Sequence, residues 1–274
     1  MFRAMVCSIL LAGCGAASPP PAPVTNTEPP PDPCHTGDGP GCVAACDAGN
    51  MKSCALMGAA FAGAEGDQRD VAEAVGYLEK ACTGGYPPSC TYLGTLLMNG
   101  DGIPRDVARA QPVLERGCAG KDLQSCGALG VLLDDGDGVP QDYPRAHALY
   151  TQACDGNVYE YCNSLGRLYK YGRGVPKDLA RAAALYQRGC DGNDLLSCNS
   201  LGVLLEDGLG VPTDFARAKV LYTTACEGGE LRGCHNLGVL YQEGHGVPAD
   251  PAQAEAWFKR ACDGGLAESC AGAR

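Results

Sequence analysis

Phenylalanine, tryptophan and positive charges are scarce in this 274-residue sequence, which has 4 Phe, 1 Trp and 21 Lys+Arg against 32 Asp+Glu. The formal net charge of −11 argues against a nucleic-acid-binding protein, because such proteins need clustered Lys and Arg to displace counterions from phosphates. The same charge disfavours electrostatic binding to an anionic membrane surface. No apolar run approaches the roughly 18 residues of a membrane-spanning helix.

Motifs for catalysis and metal binding are also missing. The sequence contains no G-x-S-x-G elbow and no P-loop, and its four histidines form neither an H-E-x-x-H motif nor an i, i+4 pair. The loop D-D-G-D-G at 134–138 lacks the later glutamate of a calcium-binding EF-hand, so we interpret it as a turn. We therefore expect no metal, no cofactor and no catalytic residue.

Cysteine and glycine are abundant instead, with 18 Cys and 39 Gly. Cytosolic thiols are kept reduced, so this many cysteines indicates an oxidising compartment. A metal-rich protein is the competing interpretation, and the spacing of the cysteines bears on it below.

The N-terminus is typical of an export signal. Arg3 precedes a short apolar run from Ala4 to Leu11, which is the plan of a secretory signal peptide. The run ends in Leu11-Ala12-Gly13-Cys14, which resembles the lipobox of bacterial lipoproteins. The resemblance implies a signal peptide at 1–13 and acylation of Cys14 as the first mature residue. An ordinary signal peptide is the alternative.

Half of residues 18–33 are proline. A segment of this composition forms neither helix nor sheet and runs as an extended, semi-rigid spacer. We therefore interpret residues 14–33 as the lipidated cysteine and a tether that holds the folded part away from the membrane.

The remaining chain follows one period. Seven cysteines occur 36 residues apart, and each is followed eight residues later by a second cysteine, from Cys46 and Cys54 to Cys262 and Cys270. Uninterrupted self-similarity of this length predicts a solenoid.

One unit, residues 161–196, shows what each repeat forms. Residues at offsets 0, 3, 4 and 7 from Cys162 give one face of a first helix, which Gly172 and Pro176 end. Asp178 stands at the N-cap of a second helix. Each repeat is thus predicted to be an antiparallel helix pair, and a glycine in every first helix predicts close helix approach, since glycine costs up to about 1 kcal/mol there.

The pattern L-G-x-L-x-x-x-G-x-G-V-P-x-D-x-x-R-A-x-x-L-Y-x-x-A-C-D-G-G resembles the Sel1-like repeat, a relative of the tetratricopeptide repeat. The cysteine pairs resemble the secreted, cysteine-rich branch of that family, the Hcp-type proteins. The resemblance implies an all-α fold, a right-handed α-solenoid of antiparallel helix pairs. We assign the solenoid to residues 34–274, with six full repeats over 53–268 and atypical ends.

The C-x7-C spacing suits a disulfide across a tight turn between two helices better than a zinc knuckle, which uses closer pairs. Only Cys42 and Cys46 are spaced closely enough for a knuckle, and no histidine follows at ligand spacing. Sixteen cysteines remain beside Cys7 and Cys14. By proximity they pair as Cys34–Cys42, Cys46–Cys54, Cys82–Cys90, Cys118–Cys126, Cys154–Cys162, Cys190–Cys198, Cys226–Cys234 and Cys262–Cys270.

An enzymatic alternative comes from the same resemblance, because some Hcp-type proteins are labelled β-lactamases or penicillin-binding proteins. Serine β-lactamases rely on S-x-x-K, S-D-N and K-T-G, and none of the three occurs here. We attribute the recurrent serines before the cysteines to helix capping, namely Ser53, Ser89, Ser125, Ser197 and Ser269.

A solenoid of this kind is expected to bind partners along the concave face of its first helices. The exposed stripe should lie at offsets 1, 5 and 8 from the second cysteine of each pair, where the residues vary between repeats. The predicted partner-binding residues are Asn163, Arg167, Lys170, Asn199, Glu206, His235 and Gln242. The same stripe includes Thr91, Thr95, Met98, Gly127, Val131, Asp134, Val203 and Val239.

These observations predict a non-catalytic, monomeric interaction scaffold in the bacterial cell envelope, at the outer membrane or in the periplasm. Its partner would be a protein, a peptide or a peptidoglycan-derived glycan, and it would touch the membrane only through the lipid. A β-lactam-acting enzyme and a purely structural envelope protein stay open as alternatives.

Overall fold

The computed structural model describes residue 34 and residues 39–63 and 70–273. Within these ranges the chain forms thirteen α-helices and a short C-terminal 3-10 helix, and no described residue lies in a strand. The predicted all-α solenoid is thereby confirmed. The signal peptide, Cys14 and the proline-rich tether lie outside the described residues.

Six helix pairs follow one N-terminal helix, α1 (Gly39–Asp47). The first helices of the pairs are α2 (Met51–Gly63), α4 (Pro87–Asn99), α6 (Leu123–Asp135), α8 (Glu160–Tyr171), α10 (Leu195–Asp207) and α12 (Leu231–Glu243). The second helices are α3 (Val71–Thr83), α5 (Val107–Ala119), α7 (Tyr143–Asp155), α9 (Leu179–Asp191), α11 (Phe215–Glu227) and α13 (Pro251–Asp263). The 3-10 helix, Ala267–Ala271, ends the stack.

Aspartate caps every second helix, as predicted. The carboxylate of Asp178 accepts a hydrogen bond from the backbone N–H of Arg181 at 2.9 Å, which satisfies a donor that the helix itself leaves unpaired. Asp70, Asp106, Asp142, Asp214 and Asp250 do the same in the other pairs.

The prediction that the recurrent serines cap helices was wrong. Asp122 and Asp194 are the caps, and each accepts from the N–H of the serine three residues on. The serines themselves are the third residues of their helices, and Ser53, Ser89, Ser125, Ser197 and Ser269 are at most 2% exposed. Their small side chains fill the junction between helices instead of closing a helix end.

The recurrent glycines place the two helices of each pair in direct contact. A β-carbon on Gly202 would lie 2.5 Å from Tyr222 Cε1, and one on Gly130 would lie 2.8 Å from Tyr150 Cε1. Gly58, Gly94, Gly166 and Gly238 face Leu78, Leu114, Tyr186 and Phe258 in the same way. The predicted close approach therefore has a definite partner, the bulky residue 20 positions later in the second helix.

All eight cysteine pairs expected from proximity lie at disulfide distance. Their Cα–Cα distances run from 4.6 Å to 4.9 Å, within the normal range for a disulfide. Seven of the bridges start at Cys46 and recur through the repeats. Each joins the end of one repeat to the start of the next, so that consecutive repeats are linked covalently at one edge of the stack.

Two neighbouring pairs of first helices, α4 with α6 and α8 with α10, contact each other more extensively than any two neighbouring second helices do. We call the side formed by the first helices the inner surface.

Candidate partner-binding surface

The stripe residues at offset 1 are inter-repeat contacts. Asn163 Nδ2 donates to Ser200 Oγ at 2.9 Å, and Asn236 Nδ2 donates to Asn199 Oδ1 at 2.8 Å. Asn163 is only 2% exposed and Asn199 only 7%. The prediction that these two asparagines face a partner is therefore corrected, because an amide of this length reaches the next first helix and is buried there.

His235 occupies the same position in the last full repeat. Its Nδ1 lies 2.9 Å from Ser269 Oγ, and Ser269 is fully buried. A Ser–His pair can suggest nucleophilic catalysis, but no substrate can reach this hydroxyl. The pair is equivalent to the contact of Thr91 with Ser125 earlier in the stack. We therefore interpret it as a contact between adjacent repeats.

Offset 8 carries a second kind of inter-repeat contact, here called the acid–base contact. Glu206 accepts a hydrogen bond from Tyr222 Oη at 2.7 Å, and its other oxygen lies 3.0 Å from Nδ1 of His245 in the next repeat. Asp134 lies 3.5 Å from Tyr150 Oη and 3.9 Å from Nη1 of Arg173 in the next repeat. In both cases the basic partner, an arginine or a histidine, is 39 residues after the acid.

The acids in these contacts are largely shielded from water, whereas the side chains of Arg173 and His245 are 40% and 41% exposed. The Asp134 side chain is 5% exposed, and its burial raises its pKa although Arg167 and Arg173 oppose the shift. Burial likewise raises the pKa of the Tyr150 and Tyr222 hydroxyls, and the neighbouring acids add to the effect. Charged groups that are paired and partly buried hold a fixed geometry, so both contacts define the relative position of adjacent repeats.

The repeat at 161–196 departs from this arrangement. Its residue at offset 8 is Lys170 instead of an acid, and the residue 39 positions later is Leu209 instead of an arginine or a histidine. Lys170 makes no ion pair within 4 Å among the described residues, and its Nζ lies 5.5 Å from the ring centre of Tyr171. Leu209 is 37% exposed and Tyr171 56% exposed.

Two arginines lie close to Lys170. The Arg173 guanidinium is 5.3 Å from the Tyr171 ring centre, and Arg167 is exposed one turn earlier on α8. Arg167 and Arg173 both act electrostatically on Asp134. We call Arg167, Lys170 and Arg173 the basic cluster. The residue equivalent to Arg167 is valine in the neighbouring repeats on either side, so the cluster is confined to this repeat.

The predicted stripe is therefore only partly a surface. Arg167 and Gln242 are exposed, and Lys170 and His235 are partly exposed. Glu206, with its side chain 14% exposed, is held within an acid–base contact. Sequence reasoning missed Tyr171, Arg173 and Leu209. A comparison of equivalent positions across repeats would have found two of them, since Tyr171 replaces an acid and Leu209 replaces the basic residues Arg173 and His245.

Metal-binding and membrane-spanning features are not found in the part of the chain that the structure describes. No group of three or more His, Cys, Asp or Glu side chains could hold a metal ion within the described chain. None of the helices described above is long and apolar enough to cross a membrane.

Comparison with known proteins places these features in context. The sequence matches the Sel1 repeat family over residues 52–86, 87–111, 123–158, 160–194, 195–230 and 231–266. A search of curated proteins finds no match.

Among solved structures, a Sel1 repeat protein from Oxalobacter formigenes is 26% identical with a TM-score of 0.72, over 79% of this chain and 89% of that one. A protective antigen of uropathogenic Escherichia coli that displays an SLR fold is 25% identical with a TM-score of 0.71 over 84% of this chain. The present chain spans 49% of that antigen. Helicobacter pylori cysteine rich protein B is 26% identical over 48% of this chain and 96% of that one, with a TM-score of 0.40.

Proposed function

Since the chain belongs to the Sel1 repeat family, whose repeats mediate protein–protein interactions, we propose that it is a non-catalytic scaffold that binds a protein partner on its inner surface. One observation carries the proposal. Packing residues recur in every repeat, whereas the exposed Thr95 and Arg167 share a position that holds valine in three other repeats, namely Val131, Val203 and Val239. Solenoid proteins bind partners on extended surfaces of this kind, where exposed residues vary while the packing residues of the repeats stay the same.

We further propose that this scaffold works outside the cytoplasm. Eight disulfides would not persist in a reducing cytosol, and bacterial relatives carry the same fold. The lipobox-like sequence ending at Cys14 supports anchoring to the cell envelope by a lipid, with residues 15–33 as the tether. Intact mass before and after reduction tests this proposal. We expect a chain that starts at an acylated Cys14 and has sixteen thiols that alkylate only after reduction.

Binding on the inner surface can be tested by site-specific photo-crosslinking in the source organism. A photoreactive residue at Thr95 or Gln242, both exposed on first helices, should give a discrete covalent adduct with a partner. The matched control is Ala184, which is exposed on the second helix α9. Equal adducts at all three positions, or none at the first two, would contradict binding on the inner surface.

The enzymatic alternative has a separate test. A fluorescent penicillin labels any serine that it acylates, and the recurrent serines described above are all buried. We expect no covalent label on the purified, oxidised protein. Stable labelling that a serine variant abolishes would replace the scaffold proposal with a penicillin-binding function.

A further inference from the structure

The arrangement around Lys170 points to a particular class of partner. We propose that Arg167 and Lys170, together with Tyr171 and Leu209, bind a short acidic segment of a partner polypeptide. A carboxylate of that segment would face Lys170 from the side on which the neighbouring repeats place Arg173 and His245. This inference rests on the proposed scaffold function and names the chemistry of its partner.

The residue at offset 8 is paired within the chain in the neighbouring repeats but not in this one. In the flanking repeats the acid at offset 8 is satisfied from within the chain, by Arg173 in one case and His245 in the other. At the equivalent position the chain supplies Lys170, and at the equivalent of the basic partner it supplies Leu209. No acid among the described residues pairs with Lys170, so its charge is available to a carboxylate of another molecule.

The repeat at 161–196 also differs from the rest of the chain in its net charge. The repeat at 161–196 contains six cations and three anions, although the whole chain has a formal net charge of −11. The cations are Arg167, Lys170, Arg173, Lys177, Arg181 and Arg188, and the anions are Asp178, Asp191 and Asp194. All three anions are engaged locally: Asp178 and Asp194 cap helices, and Asp191 accepts from Gln187. Arg167 and Lys170 make no ion pair within 4 Å in the described chain.

Exposed apolar side chains stand at the positions next to Lys170 and paired with it in the repeat pattern. Only three large hydrophobic side chains are exposed among the described residues, and two of them are Tyr171, which follows Lys170, and Leu209, which occupies the position of the basic partner. Exposed aromatic and aliphatic side chains beside charges are typical of interaction sites. The ligand should therefore carry an apolar residue beside its carboxylates.

The flanking repeats limit what the ligand can be. Residues 125–160 contain six Asp and Glu against one Arg, and residues 197–232 contain five Asp and Glu against three Lys and Arg. A uniformly charged polymer or an anionic bilayer would meet these acidic repeats together with the basic cluster and be repelled by them. A short acidic stretch of polypeptide meets only the cluster.

The probe is a fluorescein-labelled peptide, GDELDELG, and its neutral counterpart GNQLNQLG, measured by fluorescence anisotropy with the full-length oxidised protein. We expect the acidic peptide to bind and the neutral one not to, with affinity falling as salt screens the charges. Two variants import residues from neighbouring repeats, so folding should be preserved. Lys170→Glu copies Glu206, and Arg167→Val copies Val203.

Lys170→Glu should weaken acidic-peptide binding by about fivefold or more, because an attraction becomes a repulsion. Arg167→Val should weaken it less. Lys52→Glu, on an exposed position of α2, makes the same change in net charge and should leave binding unaltered. Equal loss in Lys52→Glu and Lys170→Glu, or equal binding of both peptides, would overturn the proposal.

Other occupants give distinct results. If the protein co-sediments with phosphatidylglycerol vesicles and Lys170→Glu abolishes this, the ligand is a lipid surface and not an acidic peptide. If the protein self-associates and Lys170→Glu abolishes this, the ligand is a second copy of the chain. The proposed scaffold function has a separate test: it is wrong if photoreactive residues at Thr95 and Gln242 give no adducts in a protein that retains Lys170. If those adducts form and Lys170→Glu changes neither them nor peptide binding, only the acidic-segment inference is wrong.

Discussion

The α-carbon of Gly166 lies against the ring of Tyr186, so that a β-carbon on residue 166 would be 2.5 Å from Tyr186 Cε1. This distance is far below van der Waals contact. Tyr186 is 1% exposed, and its ring has little room to move because interiors are close-packed. The glycine is thus what lets α8 and α9 pack at their observed separation.

Gly166→Ala should therefore destabilise the protein, although alanine is the better helix former. We expect a loss of about 1–3 kcal/mol in the free energy of unfolding, typical of overpacking. Gly76→Ala is the matched control, since Gly76 is helical and exposed, and a β-carbon added to it would have nothing within 4 Å. It should gain about 0.5–1 kcal/mol. Urea unfolding of the oxidised variants measures both, and a gain in Gly166→Ala would refute the packing argument.

Helix capping gives a second prediction. Asp178→Ala removes the acceptor for the Arg181 N–H and should cost about 1 kcal/mol. Asp191→Ala is the comparison, because Asp191 ends the same helix, where a negative charge opposes the helix dipole. That variant should be neutral or slightly stabilising. Equal losses in the two variants would show that charge, not capping, accounts for the effect of Asp178.

Removing one disulfide should act locally. The variant Cys154→Ala/Cys162→Ala loses a bridge between residues separated by eight positions, for which the chain-entropy estimate is about 2.5 kcal/mol. Because each repeat contacts only its neighbours, amide hydrogen exchange should accelerate in residues 125–196 and stay unchanged in 233–268. Uniform acceleration along the whole stack would contradict this local behaviour.

Acid should weaken the fold through His147. Burial and the nearby Arg181 lower the pKa of His147, whose Nε2 lies 2.9 Å from Tyr169 Oη. The unfolded chain then binds more protons than the folded one as the pH falls through the ordinary histidine pKa of about 6.5, so stability falls with it. His147→Gln removes this contribution.

We expect the free energy of unfolding to drop more between about pH 7.5 and pH 5.5 in the unaltered protein than in His147→Gln. Denaturant titrations at the two pH values measure the difference. His245→Gln serves as a comparison, because it removes another histidine from the same stack. An identical pH dependence of the unaltered protein and His147→Gln would exclude His147 as the source.

Much of this architecture follows from short-range regularities. Asp178 caps a helix because its side chain bonds to a backbone N–H three residues away, and Cys154 pairs with Cys162 across a turn. The contact between Gly166 and Tyr186 spans 20 residues within a single repeat. Such features recur with the period of the sequence, so residue spacing alone predicted the helix pairs, the capping aspartates and the cysteine pairs.

The inner surface depended on contacts between repeats. Spacing placed Asn163, Arg167 and Lys170 on one stripe, but it could not show that Asn163 reaches Ser200 in the next repeat and is buried there. The distinct environment of Lys170 depends on contacts between repeats, those of Asp134 with Arg173 and of Glu206 with His245. The helix-pair fold can be read from the sequence, because a repeat needs only local signals. The exposure of each polar residue cannot, because it depends on what the adjacent repeat brings within reach.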